Sequence, residues 1–172
     1  MTRAALVALA VLLAAGGAEA APASVAIGDL VLDYDDADWH ATAWPGGVRL
    51  QPRECRSFRC AEGTGVTIAA GPAHGPLPSD RDGFTRPLWD LLEDPARWPG
   101  DGTEREINGL AIHATDRWSG CRAMSPSELR AVLDHGGRRY TMASGVAAGC
   151  AGLWGVGRDD FVAILSGLRP RE

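Results

Sequence analysis

The sequence predicts an α+β fold, in which an antiparallel sheet carries helices packed on it. Three observations indicate this class. Short β-rich segments separated by turn-forming residues recur between residues 25 and 118, an amphipathic segment begins at Thr85, and a second amphipathic segment closes the chain. Strands followed by helices, without a regular strand-helix alternation, favour an antiparallel rather than a parallel sheet.

The strand predictions rest on short runs rich in β-branched and aromatic residues, each ended by a turn signal. The first run ends in the acidic cluster Asp35-Asp36-Ala37-Asp38, and the second ends in Pro45-Gly46-Gly47. The last run, which continues to Trp118, is either two short strands or one strand bent at Asn108-Gly109. Strands are therefore expected over residues 25–34, 39–44, 48–50, 65–70 and 106–115.

The first predicted helix begins at Thr85, a residue type that caps helix N-termini. Leu88, Leu91 and Leu92 follow at spacings that place them on one helical face, and Pro95 ends the helix. This pattern predicts a helix that packs on the sheet.

The closing helix has the strongest periodicity in the chain. Asp159 or Asp160 is its expected cap, and Pro170 ends it. Its apolar face has the spacing i, i+3, i+4 and i+7 and consists of Phe161, Ile164, Leu165 and Leu168.

Residues 125–137 are compatible with two structures. Ser125-Pro126-Ser127-Glu128 has the pattern of a helix capping box, with proline at the first helical position. Alternatively, residues 129–133 and 138–143 form hairpin strands around Asp134-His135-Gly136-Gly137. The hairpin is slightly favoured because residues 138–142 are strand-like in both cases.

The order of elements resembles the PsbP/Mog1-like αβα sandwich family. The resemblance spans Val25 to Leu168 and rests on an early strand leading into Asp36-Ala37-Asp38-Trp39, a meander, and the closing Phe-x-x-Ile-Leu-x-x-Leu helix. It implies a small non-catalytic accessory protein that binds a protein partner. It carries over no functional residues, because no diagnostic motif of that family is matched.

Residues 1–20 have the features of a secretory signal peptide: a positive start at Arg3, an apolar run to Ala15, and the cleavage-type sequence Ala18-Glu19-Ala20. Residues 21–172 are then expected to form a single domain. All 17 basic residues are arginine, which is typical of GC-rich bacterial coding, so the predicted location is the periplasm. The apolar run is too short to span a membrane, so no membrane insertion is expected. The net charge of −5 argues against a nucleic-acid partner.

An exported protein meets an oxidising compartment, so its four cysteines are interpreted first as disulfides. The preferred pairing avoids long crossing closures and joins Cys55 to Cys60 and Cys121 to Cys150. A thiol-redox pair at the first two is the alternative, since arginines flank them.

The most chemically suggestive feature is a group of early carboxylates that converges if the first strand ends beside its turn. It consists of Asp33, Asp35, Asp36 and Asp38. Oxygen ligands of this kind suit a hard cation such as Ca²⁺ or a trivalent lanthanide. A solvated turn is one alternative, and neutralisation by Arg49, Arg53, Arg56 and Arg59 is another.

Three functional hypotheses follow. The first is a small soluble periplasmic binding protein without catalysis, which holds a hard metal ion at the aspartates, as a monomer or an ion-bridged dimer. The second is an accessory protein that contacts a periplasmic partner through an exposed tryptophan or through Arg56, Phe58 and Arg59. The third is a hydrolase or thiol-redox enzyme whose site residues are scattered along the chain.

Overall fold

The structure, a computed structural model, describes residues 22–53, 64–75, 85–88, 104–118, 127–144 and 156–172. Within these ranges the chain forms eleven strands and one helix, α1 (Arg158–Ser166). The strands are β1 (Ala23–Ile27), β2 (Leu30–Tyr34), β3 (Trp39–Trp44), β4 (Gly47–Pro52), β5 (Val66–Pro72), β6 (Thr85–Pro87), β7 (Glu104–Ile107), β8 (Leu110–Trp118), β9 (Ser127–His135), β10 (Arg138–Ser144) and β11 (Leu168–Pro170).

The strands form two sheets in which every pairing is antiparallel. The smaller sheet has the order β1-β2-β11. The larger sheet has the order β3-β4-β5-β10-β9-β8-β6, and β7 also pairs with β8. The strand β3 therefore lies at one end of the larger sheet, and β6 and β7 share the other end.

Four hairpins are closed by two-residue turns, at Gly28–Asp29, Pro45–Gly46, Asn108–Gly109 and Gly136–Gly137. Both central residues have positive φ at Asn108–Gly109 and at Gly136–Gly137. This geometry matches the right-handed twist of the flanking strands, and asparagine and glycine adopt it at low cost. The turns therefore fix the registers of these hairpins.

The core contains buried residues of both sheets, which come from alternate positions of β2, β4, β5, β8, β9 and β10. Leu30 and Leu32 of β2, in the smaller sheet, are fully buried, and so are Val48 and Leu50 of β4, in the larger sheet. Tyr140 of β10 ties the layers together, because its hydroxyl accepts a hydrogen bond of 2.9 Å from the Asp29 amide in the β1–β2 turn. A side chain at Gly28 would place its Cβ 2.8 Å from that hydroxyl, so glycine allows the turn to dock.

The helix α1 buries Phe161, Ile164 and Leu165 against the core, which confirms the predicted apolar face as far as the end of the helix. Its predicted last member, Leu168, is buried as well but lies in β11. The residue before the helix is Gly157, and no side chain caps it. The predicted caps Asp159 and Asp160 lie in the first turn instead, where negative charge favours the helix dipole.

The predicted α+β class is wrong, because the described chain is mostly β and carries one short helix instead of packed helices. The predicted helix start at Thr85 is the strand β6, in which Thr85 and Pro87 are paired with Arg117 and Thr115 of β8. The local helix pattern is overridden by this pairing and by the burial of Leu88 in the core. The rest of that predicted helix lies outside the described residues.

The hairpin interpretation of residues 125–137 is confirmed, since β9 and β10 pair around Gly136–Gly137. Asn108–Gly109 separates two strands, as the first alternative stated, whereas the predicted strand over residues 25–34 is a hairpin with a turn at Gly28. In the described part of the chain, no helix has the length and apolar character needed to cross a membrane.

Candidate functional site

The four predicted metal ligands lie at the end of β2 and in the turn between β2 and β3. Asp33 is already bound: its Oδ2 accepts a hydrogen bond of 2.7 Å from Arg169 Nε, and its Oδ1 accepts one from the Ser24 hydroxyl. The bonds from Arg169 and then Ser24 hold the pKa of Asp33 below its ordinary value. An arginine therefore neutralises Asp33, but it comes from β11 and not from the predicted group at Arg49–Arg59.

Asp35 shapes the turn that follows. Its Oδ1 accepts a hydrogen bond of 2.8 Å from the Ala37 amide, and its carbonyl accepts one of 3.0 Å from the Trp39 amide. Aspartate side chains commonly bond to the backbone two residues on in this way. Asp35 therefore acts as a turn former, with its carboxylate at the surface.

Arg53 braces the same turn through main-chain oxygens. Its Nε donates to the carbonyls of Asp36 and Trp39, the latter at 3.2 Å, and its amide donates to the Asp38 carbonyl at 2.8 Å. The side chains of Asp36 and Asp38 are exposed. We call residues 35–38 with Arg53 the acidic turn.

Within the described residues, no group of three or more histidine, cysteine, aspartate or glutamate side chains is placed to hold a metal ion. Asp33 faces Arg169, while the other three aspartates belong to the acidic turn. A metal site there stays a prediction. The described geometry instead contains a feature of each alternative to a metal site: Asp33 is paired with an arginine, and residues 35–38 form an exposed turn.

Among the described strands, the one that follows the acidic turn pairs with β4 alone, so its other backbone edge is open. A two-residue turn joins β3 to β4 and pairs Trp44 with Gly47, so the hydrogen-bonded pairs alternate along the ladder from there. The N–H and C=O groups of Trp39, Ala41 and Ala43 consequently point away from β4. Those of Trp39 are taken by Asp35 and Arg53, which leaves Ala41 and Ala43 facing the open edge.

The outer face of the β3–β4 hairpin carries an exposed aromatic ring. Trp44 is 42% exposed, and its indole lies over Gly47, where a Cβ would collide with the ring. Thr42 is two residues along the same face and lies opposite Arg49 of β4. Tryptophan and arginine are the side chains most enriched among residues that dominate binding energy at interfaces. We call Ala41, Thr42, Ala43 and Trp44 the open edge.

The edge next to β8 is built differently. Its strands are the three-residue β6, Thr-Arg-Pro, and β7, Glu-Arg-Glu-Ile. In the smaller sheet, β11 is Leu-Arg-Pro. Short length, charge and proline are the usual devices that prevent edge strands from pairing with other chains. The strand β3 is six residues long and contains no charged residue and no proline.

Among the described edge strands, β1 also lacks charge and proline. Its two-residue turn at Gly28–Asp29 fixes the same alternation, so the amide of Ala26 points away from β2. This strand itself contains no tryptophan, which makes it a natural control for the open edge.

The histidines bear on the enzyme hypothesis. His113 Nε2 lies 2.8 Å from Glu104 Oε2, as a cross-strand pair of β8 and β7. Its cross-strand neighbour on β9 is Val132, so these three strands bring no serine or cysteine beside the imidazole. His40 lies exposed on β3. Catalysis stays an untested hypothesis.

Several predicted residues lie outside the described ranges. They are the signal peptide (residues 1–20), all four cysteines (Cys55, Cys60, Cys121 and Cys150) and the predicted partner contacts Arg56, Phe58 and Arg59. The open edge was missed as a site, although a signal was present: Trp39–Trp44 is a charge-free run directly after an acidic cluster.

Comparisons with known proteins give no family assignment: no protein-family model matches the chain, and neither does a curated protein nor a solved structure. The resemblance in element order to PsbP/Mog1-like proteins therefore stays a prediction.

Proposed function

We propose that the protein is an exported, non-catalytic binding protein that takes an extended segment of a protein partner along the open edge of β3. The observation that carries the proposal is the edge itself, a six-residue strand that lacks charge and proline and ends in an exposed tryptophan. This is the second of the hypotheses that the sequence suggests, with an exposed tryptophan as the contact in place of Arg56, Phe58 and Arg59.

Strand addition explains why the backbone of Ala41 and Ala43 matters. An added strand would pair with two N–H and two C=O groups, and each such bond contributes about 0.5–1.5 kcal/mol net. Alternate side chains of the added strand would lie on the face that carries Thr42 and Trp44. The backbone therefore provides affinity, and the side chains provide selectivity.

Trp44 is the expected anchor of the contact. Its ring is held against Gly47 before any partner arrives, so little side-chain entropy is lost on binding. Trp44→Ala should weaken binding by more than about 2 kcal/mol if the ring is a dominant contact, which corresponds to about thirtyfold in Kd.

The proposal is tested with peptides of known sequence. Selection from a displayed library of random ten-residue peptides on the folded protein yields ligands whose Kd is then measured one by one. Ala43→Pro removes the outward amide and keeps the ladder with β4, because proline is tolerated where an edge N–H faces solvent. We expect this variant to lose binding.

Ala26→Pro is the matched control, since it makes the same change on the edge of β1. We expect it to bind as the wild type does. Equal binding by Ala43→Pro and the wild type would overturn the proposal, and so would a dependence on Ala26 alone. Circular dichroism confirms that both variants are folded.

Location in the periplasm and the absence of catalysis belong to this proposal as expectations from the sequence. Binding of a hard cation at Asp33, Asp35, Asp36 and Asp38 stays a separate prediction. Strand addition does not require it, since Asp33 is bound to Arg169.

A further inference from the structure

We infer that the partner segment runs antiparallel to β3 and carries basic residues at its carboxyl end. This inference rests on the proposed function, because it specifies what the open edge selects. It follows from the direction of β3 and from the position of the acidic turn.

The acidic turn lies at the start of β3 and on the open side of the strand. The Trp39 amide points away from β4 and donates to the Asp35 carbonyl, so the turn folds back against the same edge that Ala41 and Ala43 leave open. A strand added along that edge therefore approaches residues 35–38 at one of its ends.

The acidic turn has an excess of negative charge. It holds three exposed carboxylates, Asp35, Asp36 and Asp38, and one guanidinium, Arg53, whose Nε donates to main-chain carbonyls. In the described part of the chain, no salt bridge involves Asp36 or Asp38. Lysine or arginine on the partner complements this charge.

The far end of β3 differs chemically. Trp44 and Pro45 stand there, and the nearest strand residues, Gly47 and Val48, are uncharged. All described strand pairs in the larger sheet are antiparallel. An antiparallel addition would place the amino end of the partner segment beside Trp44. We therefore expect an apolar residue at the amino end and basic residues at the carboxyl end.

A second copy of this chain fits the edge less well. Two β3 strands related by a two-fold axis at Thr42 would place the acidic turn of each copy beside Trp44 and Pro45 of the other. Residues 39–48 contain no lysine or arginine, so this pairing leaves the carboxylates without a cation. Charge complementarity favours a different protein.

The test uses three synthetic peptides that alternate valine and threonine over nine positions. One ends in two lysines, one begins with them, and one ends in two glutamates. We expect the peptide with carboxyl-terminal lysines to bind about tenfold tighter than the glutamate peptide at low salt, and the advantage to shrink as salt is added. The Asp36→Asn/Asp38→Asn variant should lose this preference.

The matched control is Glu106→Gln/Asp159→Asn, which removes two exposed carboxylates on β7 and α1. It should keep the preference, because it changes the net charge equally but leaves the acidic turn intact. Loss of the preference in this control would attribute the effect to net charge and overturn the inference.

The outcomes separate the two proposals. Equal binding of all three peptides, abolished by Ala43→Pro, supports strand addition and overturns the basic-end inference. Preference for amino-terminal lysines overturns the antiparallel direction. Binding that Ala43→Pro does not affect overturns the proposed function itself. Dimerisation through β3, detected by sedimentation and removed by Ala43→Pro, would identify a second copy as the occupant and overturn the inference.

Discussion

At the scale of single residues, Asp33 and Asn108 each join segments of the chain that are far apart in sequence. Asp33 on β2 is joined to Arg169 on β11, and Asn108 in the β7–β8 turn reaches the end of α1. Neither contact forms part of the open edge. The first contact joins β2 to β11, and the second joins the β7–β8 turn to the carbonyls of Ser166 and Leu168.

Asp33→Asn should reduce stability at neutral pH. The folded-state pKa of Asp33 lies below its unfolded value of about 3.9, so its ion pair stabilises the protein above that pH. This contribution is lost as the pH falls through the folded-state pKa. The difference in urea-unfolding free energy between variant and wild type should therefore shrink below pH of about 4.

Asp36→Asn is the control for this titration, because Asp36 forms no ion pair within the described ranges. A constant difference between Asp33→Asn and the wild type from neutral to acidic pH would contradict the assignment of the pair.

Asn108→Gly should destabilise the protein by about 1–2 kcal/mol. Asn108 Nδ2 donates hydrogen bonds of 2.8 Å to the carbonyls of Ser166 and Leu168, each worth about 0.5–1.5 kcal/mol. Glycine keeps the positive φ of this position, so the loss reports the side chain and not the turn. Asn108→Asp, which places an acceptor against two carbonyls, should cost at least as much. Unchanged urea midpoints in both variants would refute this role.

At the scale of elements, the account depends on which backbone groups of β3 face outward. Local signals were enough for elements whose stability is local: the periodicity of Phe161, Ile164 and Leu165 and the turn at Gly136–Gly137 both predicted the observed structure. Thr85–Pro87 begins a segment with helix signals as well, but these three residues pair with β8 as the strand β6. Pairing between distant segments leaves no periodic trace in either one.

The turn at Gly28 was missed for a different reason. Apolar residues flank it on both sides, so residues 25–34 resemble one continuous strand, and only the Gly-Asp dipeptide marks the reversal.

The position of the candidate site was predicted from the sequence only in part. The aspartates marked the right region, but the Asp33–Arg169 contact spans 136 residues and has no local signature.

Thr42→Pro and Ala43→Pro should differ in stability although the positions are adjacent. The Thr42 amide points toward β4, so proline there removes a ladder bond and leaves a carbonyl on β4 unpaired, at a cost of about 1–3 kcal/mol. The Ala43 amide points outward, so its replacement should cost much less. Thermal melts of the two variants measure this difference, and the reverse order would invalidate the backbone alternation on which the open edge rests.

At the scale of the whole molecule, the structure combines protected and unprotected sheet edges. The strands β6, β7 and β11 carry charge or proline, whereas β3 carries neither and lies between an acidic turn and an exposed ring. An unprotected edge is a liability unless something binds it, since such strands pair readily with other chains. The proposed binding function gives this edge a role.

The metal hypothesis also belongs to this scale, because a bound cation would stabilise the folded protein as a whole. Asp33 is engaged by Arg169 and Asp35 by the Ala37 amide, so a cation that binds these aspartates has to compete with both contacts. A site occupied at a hundred times its Kd would add about 2.7 kcal/mol and raise the Tm by several degrees. Such a rise, abolished by Asp33→Ala/Asp35→Ala, would establish the metal site.

The most direct measurement of the central claim is amide hydrogen exchange at Ala41 and Ala43, with and without a peptide selected on the folded protein. Strand addition predicts that both amides, which face the open edge in the free protein, become protected on binding, while the Ala26 amide on β1 keeps its rate. A bound peptide that leaves the exchange of Ala41 and Ala43 unchanged would contradict the account.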